Sequence, residues 1–175
     1  MGLFYKNLDG ETRKFMLEEL EMDLKSGTVY ISPRLNSTGQ QGWVILLKQA
    51  IEHDDTWLEN QLSDGNLLNQ SETSHTKSGK IISKQVQMTA AQTLAEGEFN
   101  RYYIRGVCRR AINESIQEVE IYRGKEVQNP RAESQTMVGQ KRNCKQLLDD
   151  LRRSKGVEPA LGLPRPNSGL TVCLL

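Results

Sequence analysis

The sequence has few of the residues that enzymes and metal proteins commonly use for chemistry. Among its 175 residues are only two histidines, His53 and His75, and three widely spaced cysteines. An odd, scattered set of cysteines argues against a disulfide framework and against a zinc site. His53 lies in the run EHDD (52–55), where consecutive side chains point apart instead of converging on one ion. We therefore predict no metal and no cofactor.

Long hydrophobic runs are also missing. Hydrophobic residues make up 37% of the chain, and no stretch reaches the roughly 18 apolar residues of a transmembrane helix. Residues 1–15 lack the basic start and apolar stretch of a signal peptide. We therefore expect an intracellular protein, cytoplasmic or within an assembled particle, without membrane contact. The modest hydrophobic content also predicts a thin core, to which neighbouring subunits add burial.

Charge is divided unevenly along the chain. Residues 1–75 carry 6 Lys/Arg and 12 Asp/Glu, a net charge of −6, whereas residues 76–175 carry 17 and 10, a net charge of +7. This division favours a basic half that binds an anionic partner, or acidic and basic faces that meet each other. The remaining interpretation is that the charges are scattered over a solvated surface and have no special role.

Hydrophobic periodicity and capping residues predict an α+β fold. We expect a helix-rich single domain with a small sheet of about three short strands and an extended C-terminal arm. Residues 1–68 are the acidic helical half, 69–79 a polar linker or exposed loop, 80–156 the basic α/β half with a long central helix, and 157–175 the arm. The pattern predicts long helices over 9–26, 37–52 and 89–114, shorter ones starting near 54, 129 and 143, and strands over 28–32, 80–88 and 118–127.

The long central helix has two further signals. Thr89 and Gln92 match a capping box at its start. Gly97 and Gly106 each weaken the helix by about 1 kcal/mol relative to alanine. Such a cost is most easily tolerated where another backbone or a ligand approaches the helix closely.

The same helix carries an arginine ridge, because Arg101, Arg105 and Arg109 lie four residues apart on one face. Arginine can bind phosphates in a bidentate manner, and a neighbouring tyrosine can stack on a base. The candidates for binding nucleic acid or a protein partner are Arg101, Tyr102, Arg105, Arg109, Arg110, Lys141, Arg142, Arg152 and Arg153. In the alternative interpretation these arginines pair with carboxylates, either nearby at Glu98 or on the acidic half. A pI near 7.7 favours that alternative over a dedicated nucleic-acid domain.

The C-terminal arm is broken by prolines and has an apolar end. Its candidate assembly residues are Pro159, Pro164, Pro166, Leu170, Val172, Leu174 and Leu175. An extended segment of this kind can lie across a neighbour or add a strand to its sheet. The alternative is that the arm packs on its own domain.

These features predict a non-enzymatic structural or adaptor subunit of a larger assembly, for example a virion component. Its partners would be other protein subunits, including copies of itself, held by charge-complementary faces and the arm. The alternative is a nucleic-acid-binding protein that uses the arginine ridge of the 89–114 helix. A third and weaker hypothesis is a metal-dependent nuclease using Glu118, Glu120 and Lys125, although their spacing does not match a Glu-x-Lys strand.

Overall fold

The computed structural model describes residues 2–75, 79–155 and 159–175, and it confirms a helix-rich α+β domain. Positions 76–78 of the predicted linker, 156 at the end of the predicted basic half and 157–158 at the start of the predicted arm lie outside the described residues. The described helices are α1 (Gly10–Lys25), α2 (Ser37–Glu52), α3 (Asp55–Asp64), α4 (Ala90–Asn113), α5 (Ala132–Met137) and α6 (Cys144–Arg153). The described strands are β1 (Ser71–His75), β2 (Ile81–Gln85), β3 (Glu118–Arg123), β4 (Lys141–Asn143) and β5 (Leu170–Leu174).

The strands form two small antiparallel sheets. β1 and β2 make a hairpin whose register runs from Ser71 opposite Gln85 to His75 opposite Ile81. The other sheet has the order β4-β3-β5, so that β3 lies in the middle. β5, from the predicted arm, therefore pairs with the strand that the sequence predicted over 118–127.

Helix α4 is the centre of the core. It packs against α1, α3, α6 and β5, and every residue from Glu98 to Cys108 is buried. Small residues such as Ala95 and Ala111 let the neighbouring elements approach closely, while Phe99 and Tyr103 fill the space between them. Because the buried stretch includes arginines, their charges must be compensated inside the protein.

The N-terminal residues are held to the body by a buried carboxylate. Asp55, at the start of α3, accepts hydrogen bonds from the Leu3 amide at 2.9 Å and the Tyr5 hydroxyl at 3.2 Å. Burial raises the pKa of Asp55 to about 6, although both hydrogen bonds act in the opposite direction. The Phe4 amide also donates to the Gly124 carbonyl at 2.8 Å, which ties this segment to the end of β3.

Three local predictions were wrong. Residues 28–32 form no strand. Isolated hydrogen bonds hold this segment in place of a partner strand, and one of them is donated by Trp43 Nε1 to the Tyr30 carbonyl at 2.9 Å. Residues 71–75 of the predicted linker form β1, whose polar composition suits strands exposed to solvent. The capping box is not formed, since Thr89 makes no side-chain cap and Gln92 donates to Glu96 instead.

The two glycines of α4 have different surroundings. A Cβ atom added at Gly106 would lie 2.6 Å from Met16 Cγ and 3.0 Å from the Thr12 carbonyl oxygen, because α1 crosses α4 at that point. A Cβ atom added at Gly97 would meet nothing within 4 Å. A close backbone approach is thus confirmed at Gly106. At Gly97 no backbone of the described residues approaches, and the alternative of a ligand at that position stays a prediction.

Alanine substitutions at these glycines should therefore change stability in opposite directions. We expect Gly106→Ala to lower the free energy of unfolding by about 1–3 kcal/mol, because overpacking outweighs the gain in helix propensity. Gly97→Ala should raise it by about 1 kcal/mol, since the added methyl group meets no obstacle. Urea unfolding of both variants measures the difference, and shifts of the same sign would contradict the packing of α1 on α4 described here.

No helix in the described ranges has both the length and the apolar character that crossing a bilayer requires.

Candidate functional site

The arginine ridge of α4 faces the acidic helix α1. Arg105 is fully buried between them, and its Nε donates to Glu19 Oε2 at 2.9 Å. Its Nη1 donates to Asp23 Oδ2 at 2.6 Å, and its Nη2 donates to Asp23 Oδ1 at 3.1 Å. All three guanidinium nitrogens are therefore engaged by two carboxylates of the acidic half.

Both carboxylates also bind further cations. Glu19 accepts from Arg109 Nη1 at 3.1 Å and from Arg152 Nη2 at 2.6 Å. Burial alone would raise the pKa of Glu19, but the hydrogen bonds from Arg152 and the charge of Arg105 hold it below its usual value. The carboxylate therefore stays ionised inside the fold and joins α1, α4 and α6.

Asp23 is the second centre of this buried cluster. It accepts from the Tyr102 hydroxyl at 3.0 Å and from Lys155 Nζ at 2.6 Å. Burial would raise its pKa, yet the bonds from Arg105 and Lys155 lower it below the ordinary aspartate value. We call Glu19, Asp23, Arg105, Arg152 and Lys155 the buried ion cluster.

Most of the nine candidate binding residues are thus engaged within the chain. Arg110 pairs with Asp9 at 2.7 Å and with Glu114 at 2.8 Å. The candidates with internal ion pairs or buried hydrogen bonds are Arg101, Tyr102, Arg105, Arg109, Arg110 and Arg152. Lys141, Arg142 and Arg153 lie outside these pairs, on β4 and α6. Binding of nucleic acid or a partner stays a prediction. If Arg105 took part in such binding, the buried ion cluster would have to open.

The C-terminal arm lies on its own domain. Leu170 and Val172 of β5 are 1% and 0% exposed, and the Asp150 carboxylate accepts from the Leu161 amide at 2.8 Å, which fixes the preceding loop. The buried arm residues are Pro159, Pro164, Leu170 and Val172, Leu174 is half-buried, and Pro166 and Leu175 are exposed. The arm therefore completes the sheet of this chain, and its use as a clasp on a neighbour stays a prediction.

The β1–β2 hairpin has a different character from the rest of the fold. Its root is fixed by the ion pair of Arg34 with Glu72 at 2.8 Å and by the Asn69 amide, which donates to the Arg34 carbonyl at 2.8 Å. All five residues of β2 are exposed, with Ile81 at 65% and Ile82 at 40%. Among the described residues the two strands pack mainly against each other, so the hairpin stands out from the domain.

A cleft of ≈ 600 Å³ lies beside the hairpin root. Its walls come from the segment 30–34, from the first half of α4 and from the proline-rich loop 159–166. The lining side chains are Tyr30, Ser32, Pro33, Arg34, Glu72, Thr93, Leu94, Glu98, Arg101, Arg131, Pro159, Pro164, Arg165 and Pro166, and Gly97 lies among them. The cleft therefore brings together arginines from four separate segments.

A buried acid–base pair lines this cleft on the α4 side. Glu98 and Arg101 are both less than a tenth exposed, and their closest polar atoms are 3.6 Å apart. Burial raises the pKa of Glu98, while the positive charge of Arg101 opposes the shift. Arg101 Nη1 donates to the Ser154 carbonyl at 3.0 Å, but its Nε has no hydrogen-bond partner in the part of the chain that the structure describes.

The residues of the nuclease hypothesis have different surroundings. Glu118 and Glu120 lie on β3 opposite Asn143 and Lys141 of β4, while Lys125 pairs with Glu96 of α4. In the described part of the chain, no group of three or more His, Cys, Asp or Glu side chains could hold a metal ion. His53 is exposed and stacks on Trp57, with ring centroids 4.8 Å apart.

Comparison with known protein families, curated proteins and solved structures finds no match to this chain. Function must therefore be inferred from the surfaces described above.

Sequence reasoning missed the hairpin and the cleft. The hairpin had one signal, the alternation over 80–88, but its partner strand is too polar to be distinguished from a loop. The cleft had one signal as well, the open glycine at Gly97 beside Glu98 and Arg101. The other arginines of its wall, Arg34 and Arg131, come from distant segments, and only the tertiary fold brings them together.

Proposed function

We propose that this protein is a structural or adaptor subunit that assembles with copies of itself through the β1–β2 hairpin. The observation that carries the proposal is the exposure of all five β2 residues, two of which are isoleucines. A two-stranded hairpin standing alone is at best marginally stable in water, and it gains stability when further strands or another surface cover it. The unpaired N–H and C=O groups of an edge strand are a ready template for pairing.

A second copy fits the outer edge of β2 well. Antiparallel pairing of two β2 strands about Ser83 would place Ile82 of one copy opposite Lys84 of the other, and Ile81 opposite Gln85. This pairing contains no like-charged cross-strand pair and no proline that would interrupt the hydrogen bonds between the strands. The result is a four-stranded sheet with twofold symmetry, the commonest form of self-association.

The other surfaces offer less support for a functional contact. The arm and the arginine ridge, which the sequence suggested for assembly, are both engaged within the chain. Nucleic-acid binding by the ridge, the alternative function, has less support for the same reason, because Arg105 at its centre is buried in ion pairs with Glu19 and Asp23.

We also infer an intracellular location. Its support is chemical, since all three cysteine thiols are free and buried, and free thiols persist in the reducing compartments of the cell.

The hairpin proposal predicts the oligomeric state of charge variants. Light scattering coupled to size exclusion should find wild-type dimers whose fraction grows with protein concentration. The double variant Ile81→Lys/Ile82→Lys should be at least about tenfold weaker in self-association, because like charges would face each other across the new edge. Both residues are exposed, so the melting temperature of the variant should stay close to that of the wild type.

A matched control is available on α2. Ile45 is 62% exposed and distant in sequence from the hairpin, and Ile45→Lys introduces the same change without altering β2. This control should self-associate like the wild type. A wild-type protein that remains monomeric at every concentration, or a control that dissociates as readily as the double variant, would contradict the proposal.

A further inference from the structure

We propose that the cleft between α4, the segment 30–34 and the proline-rich loop binds a phosphate-bearing small molecule of nucleotide size. This site is separate from the proposed assembly function, which uses the outer edge of β2. Among the described residues, four arginines and two carboxylates, Glu72 and Glu98, line the cleft, and one of the arginines, Arg165, pairs with Glu133 outside the lining. The lining therefore carries an excess of positive charge, which favours an anionic ligand.

Arg101 is the strongest indication of a missing acceptor. The residue is 7% exposed, and within the described ranges only its Nη1 donates to a protein group, the Ser154 carbonyl. Its Nε is buried and has no hydrogen-bond partner among the described residues, and the nearest carboxylate oxygen of Glu98, at 3.6 Å, is beyond hydrogen-bonding distance. Buried donors are rarely left unsatisfied in folded proteins. A ligand oxygen that enters beside Glu98 would supply the acceptor.

The other arginines can reach the same ligand from the opposite wall. Arg34 is held by Glu72 through Nε and Nη2, which fixes its guanidinium while leaving further N–H donors available. Arg131 is exposed and forms no ion pair with the described residues. Several guanidinium groups around one cleft suit a phosphate dianion better than a single carboxylate, because phosphate offers more oxygens and more charge.

The uncharged part of the cleft fits the remainder of such a molecule. Tyr30, Leu94 and the prolines form apolar walls, and a volume of ≈ 600 Å³ lies within the usual range of small-ligand sites. Gly97 leaves the surface of α4 open at this point, since a Cβ atom there would meet nothing within 4 Å. A ring system could therefore approach the helix backbone while its phosphate meets the arginines.

The test is calorimetric titration of the full chain with adenosine monophosphate, inorganic phosphate, adenosine and succinate. We expect adenosine monophosphate to bind most tightly, inorganic phosphate more weakly, and adenosine at least about tenfold more weakly than its monophosphate. Arg131→Gln should weaken adenosine monophosphate about tenfold. Lys145→Gln removes one positive charge from an exposed position on α6 outside the cleft, so it should leave the affinity within about twofold of the wild type.

A second variant separates charge from shape. Gly97→Leu fills the cleft without changing its charge, and Gly97 has open space around its Cα, so the fold should be retained while binding is lost. Three results would overturn the proposal. They are a lack of binding by both phosphate compounds, equal weakening by Arg131→Gln and Lys145→Gln, or succinate binding as tightly as inorganic phosphate.

Discussion

Arg105→Ala is expected to destabilise the fold by about 3–5 kcal/mol, the usual cost of removing one partner from a buried ion pair. The variant would leave Glu19 and Asp23 buried, each without its central cation. Since domains of this size are stable by about 5–15 kcal/mol, much of the total stability would be lost. Urea unfolding at pH 7 followed by circular dichroism measures the effect.

The dependence on pH distinguishes lost charge compensation from lost packing. In the wild type, the pKa values of Glu19 and Asp23 are lowered, so their stabilisation is present above the unfolded-state pKa and disappears as the pH falls through the folded-state value. Without Arg105, burial favours the protonated carboxyls. The stability difference between wild type and variant should therefore shrink from pH 7 towards pH 4.

Two controls complete this experiment. Arg105→Lys keeps the positive charge but loses the planar guanidinium group and its bidentate hydrogen bonds. The free energy of unfolding of this variant should therefore lie between those of the wild type and Arg105→Ala. Arg153→Ala removes an exposed arginine from α6 and should change stability by less than about 0.5 kcal/mol. A difference between Arg105→Ala and wild type that is the same at pH 7 and pH 4 would argue against the buried ion cluster as its cause.

Deleting residues 170–175 is expected to abolish cooperative folding. The deletion removes β5, which supplies one of the two partners of β3, and with it the buried side chains of Leu170 and Val172. Loss of large core side chains costs about 2–5 kcal/mol each where the remaining structure cannot collapse. The summed cost of losing these side chains and of exposing the edge of β3 approaches the total free energy of unfolding of a small domain.

The matched control is deletion of Leu175 alone. This residue is 55% exposed and lies just beyond β5, so its loss should leave the unfolding transition almost unchanged. Thermal unfolding followed by near-ultraviolet circular dichroism compares the two truncations. If deletion of 170–175 left a stably folded domain that had lost only its self-association, the segment would be the intermolecular clasp that its sequence suggested.

The main elements of the fold could be predicted because their signals are local. Asp9 caps α1, Asn143 caps α6, and the apolar spacing of residues 90–113 indicates a long buried helix. β1 could not be predicted, because Ser71–His75 has no hydrophobic alternation and is a strand only through pairing with β2. The segment 28–32 has strand composition but no partner, which shows that pairing, more than composition, decides short strands.

The arrangement of charges was predictable only in part. The opposite net charges of the two halves predicted either that the basic half binds an anionic partner or that acidic and basic faces meet each other. Which residues meet depends on how α1 crosses α4, and Glu19 and Arg105 are 86 positions apart. No local sequence pattern predicts such a contact. None predicts that Arg105 is buried whereas Arg153 is exposed.

The position of β3 between β4 and β5 has a consequence for biosynthesis. β3 is translated before both of its neighbours, so the nascent chain emerges from the ribosome with two open edges on a strand whose Val119, Ile121 and Tyr122 are buried in the folded domain. Until residues 170–174 follow, Ile121 and Val119 have no strand to cover them on that side. Slow translation or a pause between residues 123 and 170 would prolong this exposure, and chaperone binding during that interval would protect the strand from aggregation.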